Sequence, residues 1–380
     1  MLNFLLLPLT SHLGFLRVFG YISFRAAGAA VTALLSSFII GPMIIRRLRR
    51  MRLHQVVREG TPDSHAAKAR TPTMGGLIII ISSIVPTLLW ARLDNRYIWI
   101  GMAMMIWMGV IGFLDDFLKL RQKQRGEQNL GLIERYKLTG QVVAGLALGI
   151  LVWQFPLSNL PGASTTLPFY KYVLIIPASA GLAWLYVAFV TVVVAGTSNA
   201  VNITDGLDGL ASGLVAIAAA TFAAFAYVIG RTDASRYLGL FYMAGAGELT
   251  IFCTAVAGAC IGFLWFNTFP AQVFMGDTGS LALGGALGAI AVVLKSEFLL
   301  LFLGGLFVAE MLSVITQRYM FKYRRRKYGL EYAQQHRVFR RAPLHHHFEM
   351  CGWSESQVVV RFWIIGVLCA FLALSTLKLR

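Results

Sequence analysis

The chain holds eight aspartates, at positions 63, 94, 115, 116, 205, 208, 233 and 277, and five of them gather in three short clusters. The first is Gly112-Phe113-Leu114-Asp115-Asp116. Adjacent carboxylates repel unless a cation lies between them, and a hard Mg²⁺ held partly through a substrate phosphate is the usual resolution. A solvated helix end is the plainer reading of the pair alone. Lys119 breaks the aspartate pattern of prenyl synthases.

The second cluster lies in NAVNITDGLDGL, Asn199 to Leu210. Asp205 and Asp208 are three apart and share a face if a helix has begun there. Asn202, Thr204 and the glycines 206 and 209 beside a helix N-terminus suit an anion or a nucleotide. The stretch lacks the length and closing Glu of an EF-hand, and a helix cap with turn glycines accounts for one Asp but not the set. The third cluster, Phe274-Met275-Gly276-Asp277-Thr278-Gly279-Ser280, opens an apolar run, with Asp277 as N-cap or as phosphate or metal contact.

Two further elements carry chemistry. Pro343-Leu344-His345-His346-His347-Phe348-Glu349 offers three imidazoles for a metal, for phosphate contacts or for proton transfer near neutral pH, against a merely solvated loop. Zinc is disfavoured because no Cys joins the triplet. Thr71-Pro72-Thr73-Met74-Gly75-Gly76 follows Lys68 and Arg70. Alone it is a turn and helix start; beside the other clusters it is a phosphate cradle with Lys68 as a point charge.

Such residues need elements to hold them. The 380 residues are 57% hydrophobic and 13% charged, against about 25% charged in a soluble domain. Mean hydropathy is +0.67. Disorder, collagen and a disulfide scaffold are excluded. Apolar runs near 22–45, 75–91, 97–114, 138–157, 173–195, 209–229, 242–264, 281–296, 298–317 and 358–377 predict an all-α integral membrane protein of about ten transmembrane helices. The runs lack the period-2 alternation of a barrel.

Of 34 Lys and Arg, 23 lie in segments 46–74, 115–137 and 318–357, which a ten-span chain places on one side. The positive-inside rule makes that side cytoplasmic and both termini periplasmic. One polytopic domain, 1–380, is expected, with cytoplasmic loops about 46–74, 115–137, 196–208, 265–280 and 318–357. The net charge of +17 then orients the helices and attracts an anionic substrate. Each aspartate cluster falls at a cytoplasmic end of a span, where a carboxylate near hydrocarbon is costly enough to mark function. The four cysteines make no CxxC and read as buried thiols. No basic n-region opens the chain, so no cleaved signal peptide is expected.

In order, Ser64-His65, Lys68, TPTMGG, GFLDD, NAVNITDGLDGL, FLWFNTFPAQVFMGDTGS and APLHHHFE resemble the pattern of the phospho-N-acetylmuramoyl-pentapeptide-transferase family, translocase I of peptidoglycan synthesis. Its parent group is the polyprenyl-phosphate N-acetylhexosamine-1-phosphate transferases. The resemblance runs from about Phe24 to the C-terminus. It implies transfer of phospho-MurNAc-pentapeptide from UDP-MurNAc-pentapeptide to undecaprenyl phosphate, giving lipid I and UMP, with Mg²⁺ required. It also implies ten spans, an active site on the cytoplasmic face of the bacterial inner membrane, surrounding membrane lipid, and a homodimer.

On that resemblance Asp277 is the principal Mg²⁺ ligand, with Asp115 and Asp116 beside it. His345, His346 and His347 contact the diphosphate or the sugar, or move protons. Lys68, Thr73, Asn202, Asp205, Asp208, Asn267, Phe274, Gly276 and Ser280 hold the nucleotide side, Phe274 by stacking on uracil or by packing. Lys119, Lys123 and Lys137 meet the polyprenyl phosphate. One-step attack by the lipid phosphate is favoured, with Asp115 or Asp116 taking its remaining proton; a covalent phospho-Asp is the rival. The chain departs from the pattern in longer stretches at 122–130 and 322–335.

Three other readings compete. A sibling enzyme moving another UDP-amino sugar phosphate would use the same aspartates. A secondary transporter would place its acids at the midplane of the bilayer, not at one face. Nucleic-acid binding has no fold here to carry it.

Overall fold

A computed structural model of the protein describes residues 1–6, 8, 13–51, 71–124, 131, 132, 134–170, 172–176 and 180–378. Helix α1 (Leu2–Leu6) and a 3-10 turn (Gly14–Gly20) lead into α2 (Ile22–Arg50), α3 (Gly76–Trp90), α4 (Arg96–Gln124) and α5 (Glu134–Gln154). A hairpin of β1 (Ser164–Thr166) and β2 (Val173–Ile175) precedes α6 (Ala180–Thr204), α7 (Leu210–Ile229), α8 (Thr232–Leu238) and α9 (Leu249–Asn267). The chain continues through α10 (Gly276–Val293), α11 (Glu297–Leu303), α12 (Gly305–Tyr328), α13 (Leu330–Gln335), α14 (Leu344–Glu349) and α15 (Glu355–Ser375).

Eight helices among the described residues are long and apolar enough to cross a membrane: α2, α4, α5, α6, α7, α9, α10 and α15. Together α11 and α12 make a ninth candidate, bent by 82°, and the break falls at Gly304-Gly305, where missing side chains let a helix kink. At 15 residues, α3 is apolar but short. The protein is therefore a multi-pass helical membrane protein, and two of the ten expected spans take irregular forms.

Other boundaries shift for identifiable reasons. Val173–Ile175, expected to begin a span, is instead a strand paired antiparallel to β1 with Ser164 opposite Ile175. A short β-branched apolar run carries no period that separates strand from helix. The hairpin is docked on the turn before α11: Thr166 N and Oγ1 both donate to Lys295 O, and Thr165 Oγ1 donates to Glu297. Helices also outrun the apolar stretches, because Arg, Lys, Gln and Leu sustain a helix well. Thus α4 reaches Gln124 and α12 reaches Tyr328; α6 also runs on, to Thr204, through a stretch without such residues. Much of the loops expected at 115–137, 196–208 and 318–357 is helical, and Asn267 and Gly276 terminate helices within 265–280.

The consequence for function is rigidity. Asp115, Asp116, Lys119, Lys137, Asn202 and Asp277 all stand on helical turns. They surround the start of α10, which packs against α3, α4 and α6 and is buried along nearly its whole length. Its sequence is rich in Gly and Ala, and such small residues let membrane helices approach closely.

Candidate active site

At the first turn of α10, Asp277 Oδ2 lies 2.5 Å from Lys137 Nζ and 2.9 Å from Lys119 Nζ. Its Oδ1 accepts a hydrogen bond from Asn202 Nδ2 at 2.9 Å, and the same amide donates to Ser280 Oγ at 2.8 Å. Asp115 Oδ2 lies 2.7 Å from Lys119 Nζ and 3.6 Å from Lys137 Nζ. Two carboxylates and two ammonium groups thus interlock, contributed by α4, α5 and α10, with α6 supplying the amide. Asp115 is nearly buried and the other three are only partly exposed, so water screens the pairs incompletely.

Asp116, the immediate neighbour, is engaged elsewhere. Its Oδ1 accepts from Asp277 N at 3.2 Å, and its Oδ2 from Thr278 N at 2.9 Å and Thr278 Oγ1 at 2.7 Å. From α4 it caps the N-terminus of α10, satisfying otherwise orphaned N–H groups at the positive end of the helix dipole. The N-cap position of α10 is Met275, so the cap expected of Asp277 comes from Asp116. Replacing Asp116 by Ala is expected to cost about 1–3 kcal/mol, the price of stranded buried donors. Thermal unfolding checks it, and an unchanged midpoint would show the cap to be dispensable.

This division bears on metal binding. Asp115 and Asp277 converge on one cation position, currently bridged by Lys119 Nζ, whereas both Asp116 oxygens face α10. Among the described residues no three His, Cys, Asp or Glu side chains form a metal cluster. Two hard carboxylates, with water and phosphate completing the shell, are the donor set Mg²⁺ accepts. Asp116, expected beside them as a ligand, has its oxygens on Asp277 N and on Thr278 N and Oγ1.

The nucleotide-side residues form cross-tied loops. Asn267 Oδ1 accepts from Gly209 N at 3.0 Å, and its Nδ2 donates to Val273 O at 3.0 Å. Asp208 Oδ2 accepts from Ala271 N at 3.1 Å, while Asp208 N donates to Glu355 Oε1 at 2.9 Å. Phe274 N donates to Pro72 O and Gly75 N to Phe274 O, which brings the half-buried Phe274 to the TPTMGG turn. Gly276 has φ 72°, favoured by glycine alone, and a Cβ there would lie 2.8 Å from Thr73 Oγ1. Lys68, Ser64-His65 and the Lys123 side chain lie outside the described residues.

Asp205 sits in the turn between α6 and α7. Burial, followed by the charges of Asp277, Asp116 and Asp208, pushes its carboxyl up to about 8. The folded chain therefore keeps a proton that the unfolded chain releases near pH 4, and stability drains away as pH rises from about 4 to about 8. In metal-free protein, Asp205→Asn is expected to gain thermal stability over the wild type progressively from pH 5 to about 8. Parallel melting curves across that range would contradict it.

The histidine triplet divides in three. His345 is fully buried, with Nδ1 3.1 Å from Glu310 Oε1 and Nε2 directed at Gly206, where a Cβ would lie only 2.2 Å away. His346 Nδ1 lies 2.7 Å from Glu349 Oε2, and burial draws its imidazolium below the usual range despite that carboxylate. His347 accepts from Arg340 N at 3.1 Å and has Cys351 Sγ 3.8 Å from its Nε2, so a cysteine does adjoin the triplet. The His345 ring lies against the Asp205–Asp208 turn, at Gly206. Glu310 and Glu355 were not singled out from the sequence; the available signal for Glu310 was an acid inside the apolar run 298–317.

Glycosyl transferase family 4 matches residues 98–295, the stretch that carries Asp115 through Asp277. Fold and site together define a membrane-embedded glycosyl transferase. Signature 1 of phospho-N-acetylmuramoyl-pentapeptide-transferase matches residues 68–80. The enzyme of that name from Gemmatimonas aurantiaca is 69% identical over 380 residues, covering 100% of both chains. Those from Geobacter sp. (strain M21) and Desulfosudis oleivorans are 47% and 48% identical, again over 100% of both chains. The chain belongs to the phospho-N-acetylmuramoyl-pentapeptide-transferase family.

Proposed function

We propose that the protein transfers phospho-MurNAc-pentapeptide from UDP-MurNAc-pentapeptide to undecaprenyl phosphate, giving lipid I and UMP, in peptidoglycan synthesis. The reaction is assigned to the cytoplasmic face of the bacterial inner membrane, in a homodimer with periplasmic termini. The observation that carries the reading is the convergence of Asp115, Asp277, Lys119, Lys137 and Asn202 at the start of α10. A phosphoryl transfer between two anions needs placement and charge neutralisation above all.

An oxygen of the lipid phosphate bonds to the sugar-side phosphorus of the diphosphate. The bridging P–O bond breaks, and its electron pair leaves on UMP. A phosphate monoester is already largely ionised near pH 7. Asp115, free of the α10 cap, is the carboxylate placed to take any remaining proton. Lys119 and Lys137 stabilise the charge that grows on the phosphoryl oxygens. Asp115 and Asp277 would hold Mg²⁺, which would supply further neutralisation of charge. The Asp205–Gly209 turn and the Asn267–Gly276 loop take the nucleotide, with Phe274 against the uracil. Release of UMP from UDP-MurNAc-pentapeptide, dependent on undecaprenyl phosphate and abolished by EDTA, tests the reading. Equal turnover with UDP-GlcNAc would favour the sibling activity, and a labelled phospho-enzyme trapped without acceptor would replace the one-step route.

A further inference from the structure

Glu310 lies on α12, fully buried, and its carboxylate is spent on α14. Oε2 accepts from Leu344 N at 2.7 Å, and Oε1 from His345 N and faces His345 Nδ1, both at 3.1 Å. A carboxylate oxygen that already takes backbone N–H groups acts toward the ring as an acceptor, so Nδ1 carries a proton, and in the neutral imidazole Nε2 is then bare. That Nε2 is buried and has no hydrogen-bond partner among the described residues. A stranded buried acceptor is costly, and such groups in native proteins call for a functional account. It faces Gly206, between Asp205 and Asp208, at the one residue type that leaves room for it.

We infer that Glu310 is a positioning residue of the transferase site, locking His345 as the Nδ1–H tautomer and aiming its Nε2 lone pair at a hydroxyl or N–H of the nucleotide-sugar donor. The ligand named here rests on the transferase reading; the tautomer does not. Because Glu310 holds the start of α14 and the ring together, one carboxylate sets both the position and the protonation pattern of the imidazole. A Gln at 310 keeps the volume but has one acceptor oxygen for three N–H donors, so it sets an N–H₂ against either Leu344 N or His345 and loosens the hold on the ring.

The full-length protein in detergent, labelled with ¹⁵N-histidine, tests the lock at pH 8, with His345→Gln identifying the signal. A protonated Nδ1 and a bare Nε2 are expected; a protonated Nε2 overturns the inference. In kinetics, Glu310→Gln should lower kcat about 100-fold while KM for UDP-MurNAc-pentapeptide stays within about threefold, since an orienting contact acts mainly in the transition state. The double variant with His345→Gln should be no slower than His345→Gln alone. Unchanged kcat, or losses that multiply, overturn it. If Glu310→Gln does not fold, the wild-type spectrum still decides. If the wild type releases no UMP, the transferase reading fails and the tautomer result stands separately.

Discussion

Exchanging Asp277 for Asn is expected to lower kcat by about 1,000-fold or more, the scale of removing a key electrostatic group from a preorganised site. The side chain joins more of the site than any other: two ammonium groups on one oxygen and the Asn202 amide on the other. An amide in its place accepts through one atom only and sets an N–H₂ against either a lysine or the Asn202 N–H₂. Lys119 and Lys137 would then share Asp115 alone, and two neighbouring cations with one counter-charge repel. The fold should survive, because both lysines retain some contact with solvent and keep Asp115. UMP release per folded molecule, alongside a melting curve, is the measurement. Activity within tenfold of the wild type would refute the role given to Asp277.

A second large effect comes from a residue with no chemistry of its own. At Gly112 an added Cβ would lie 2.1 Å from Asp277 O and 2.7 Å from Thr278 Cα. Those atoms are backbone and cannot swing aside, so in Gly112→Ala helices α4 and α10 must move apart. Overpacking of this kind costs about 1–3 kcal/mol. The shift would also pull Asp116, four residues on, away from the α10 cap, and displace Asp277. A misplacement of about 1 Å can cost about 100-fold in rate. Purified Gly112→Ala should therefore melt earlier and turn over about 100-fold more slowly; a variant that melts earlier at full rate would separate packing from catalysis.

Much of the site was legible because acids are conspicuous in so apolar a chain. Asp115, Asp277, Asn202 and Lys137 stand far apart in sequence, yet each sits where hydrophobicity stops. The division of labour between Asp115 and Asp116 was not legible. Consecutive helical residues point about 100° apart, and which one faces the lysines depends on where α10 lies. Gly112 was visible within GFLDD, but its reason is a helix crossing that no local pattern encodes. Glu310 and Glu355 bond directly to His345 and Asp208, far away in sequence, and only Glu310, inside an apolar run, carried a local signal. The bend at Gly304-Gly305 and the strand at Val173–Ile175 escaped because hydropathy measures burial, not direction.

Asn267 and Asp208 tie the Gly206–Gly209 turn to the end of α9 and the segment after it, and Glu355 ties it to the start of α15. Ordering these loops is completed on folding, so it is not charged again to association. On the function proposed above, a nucleotide would meet loops already in place, and its capture would be governed by diffusion and desolvation instead of by a slow rearrangement.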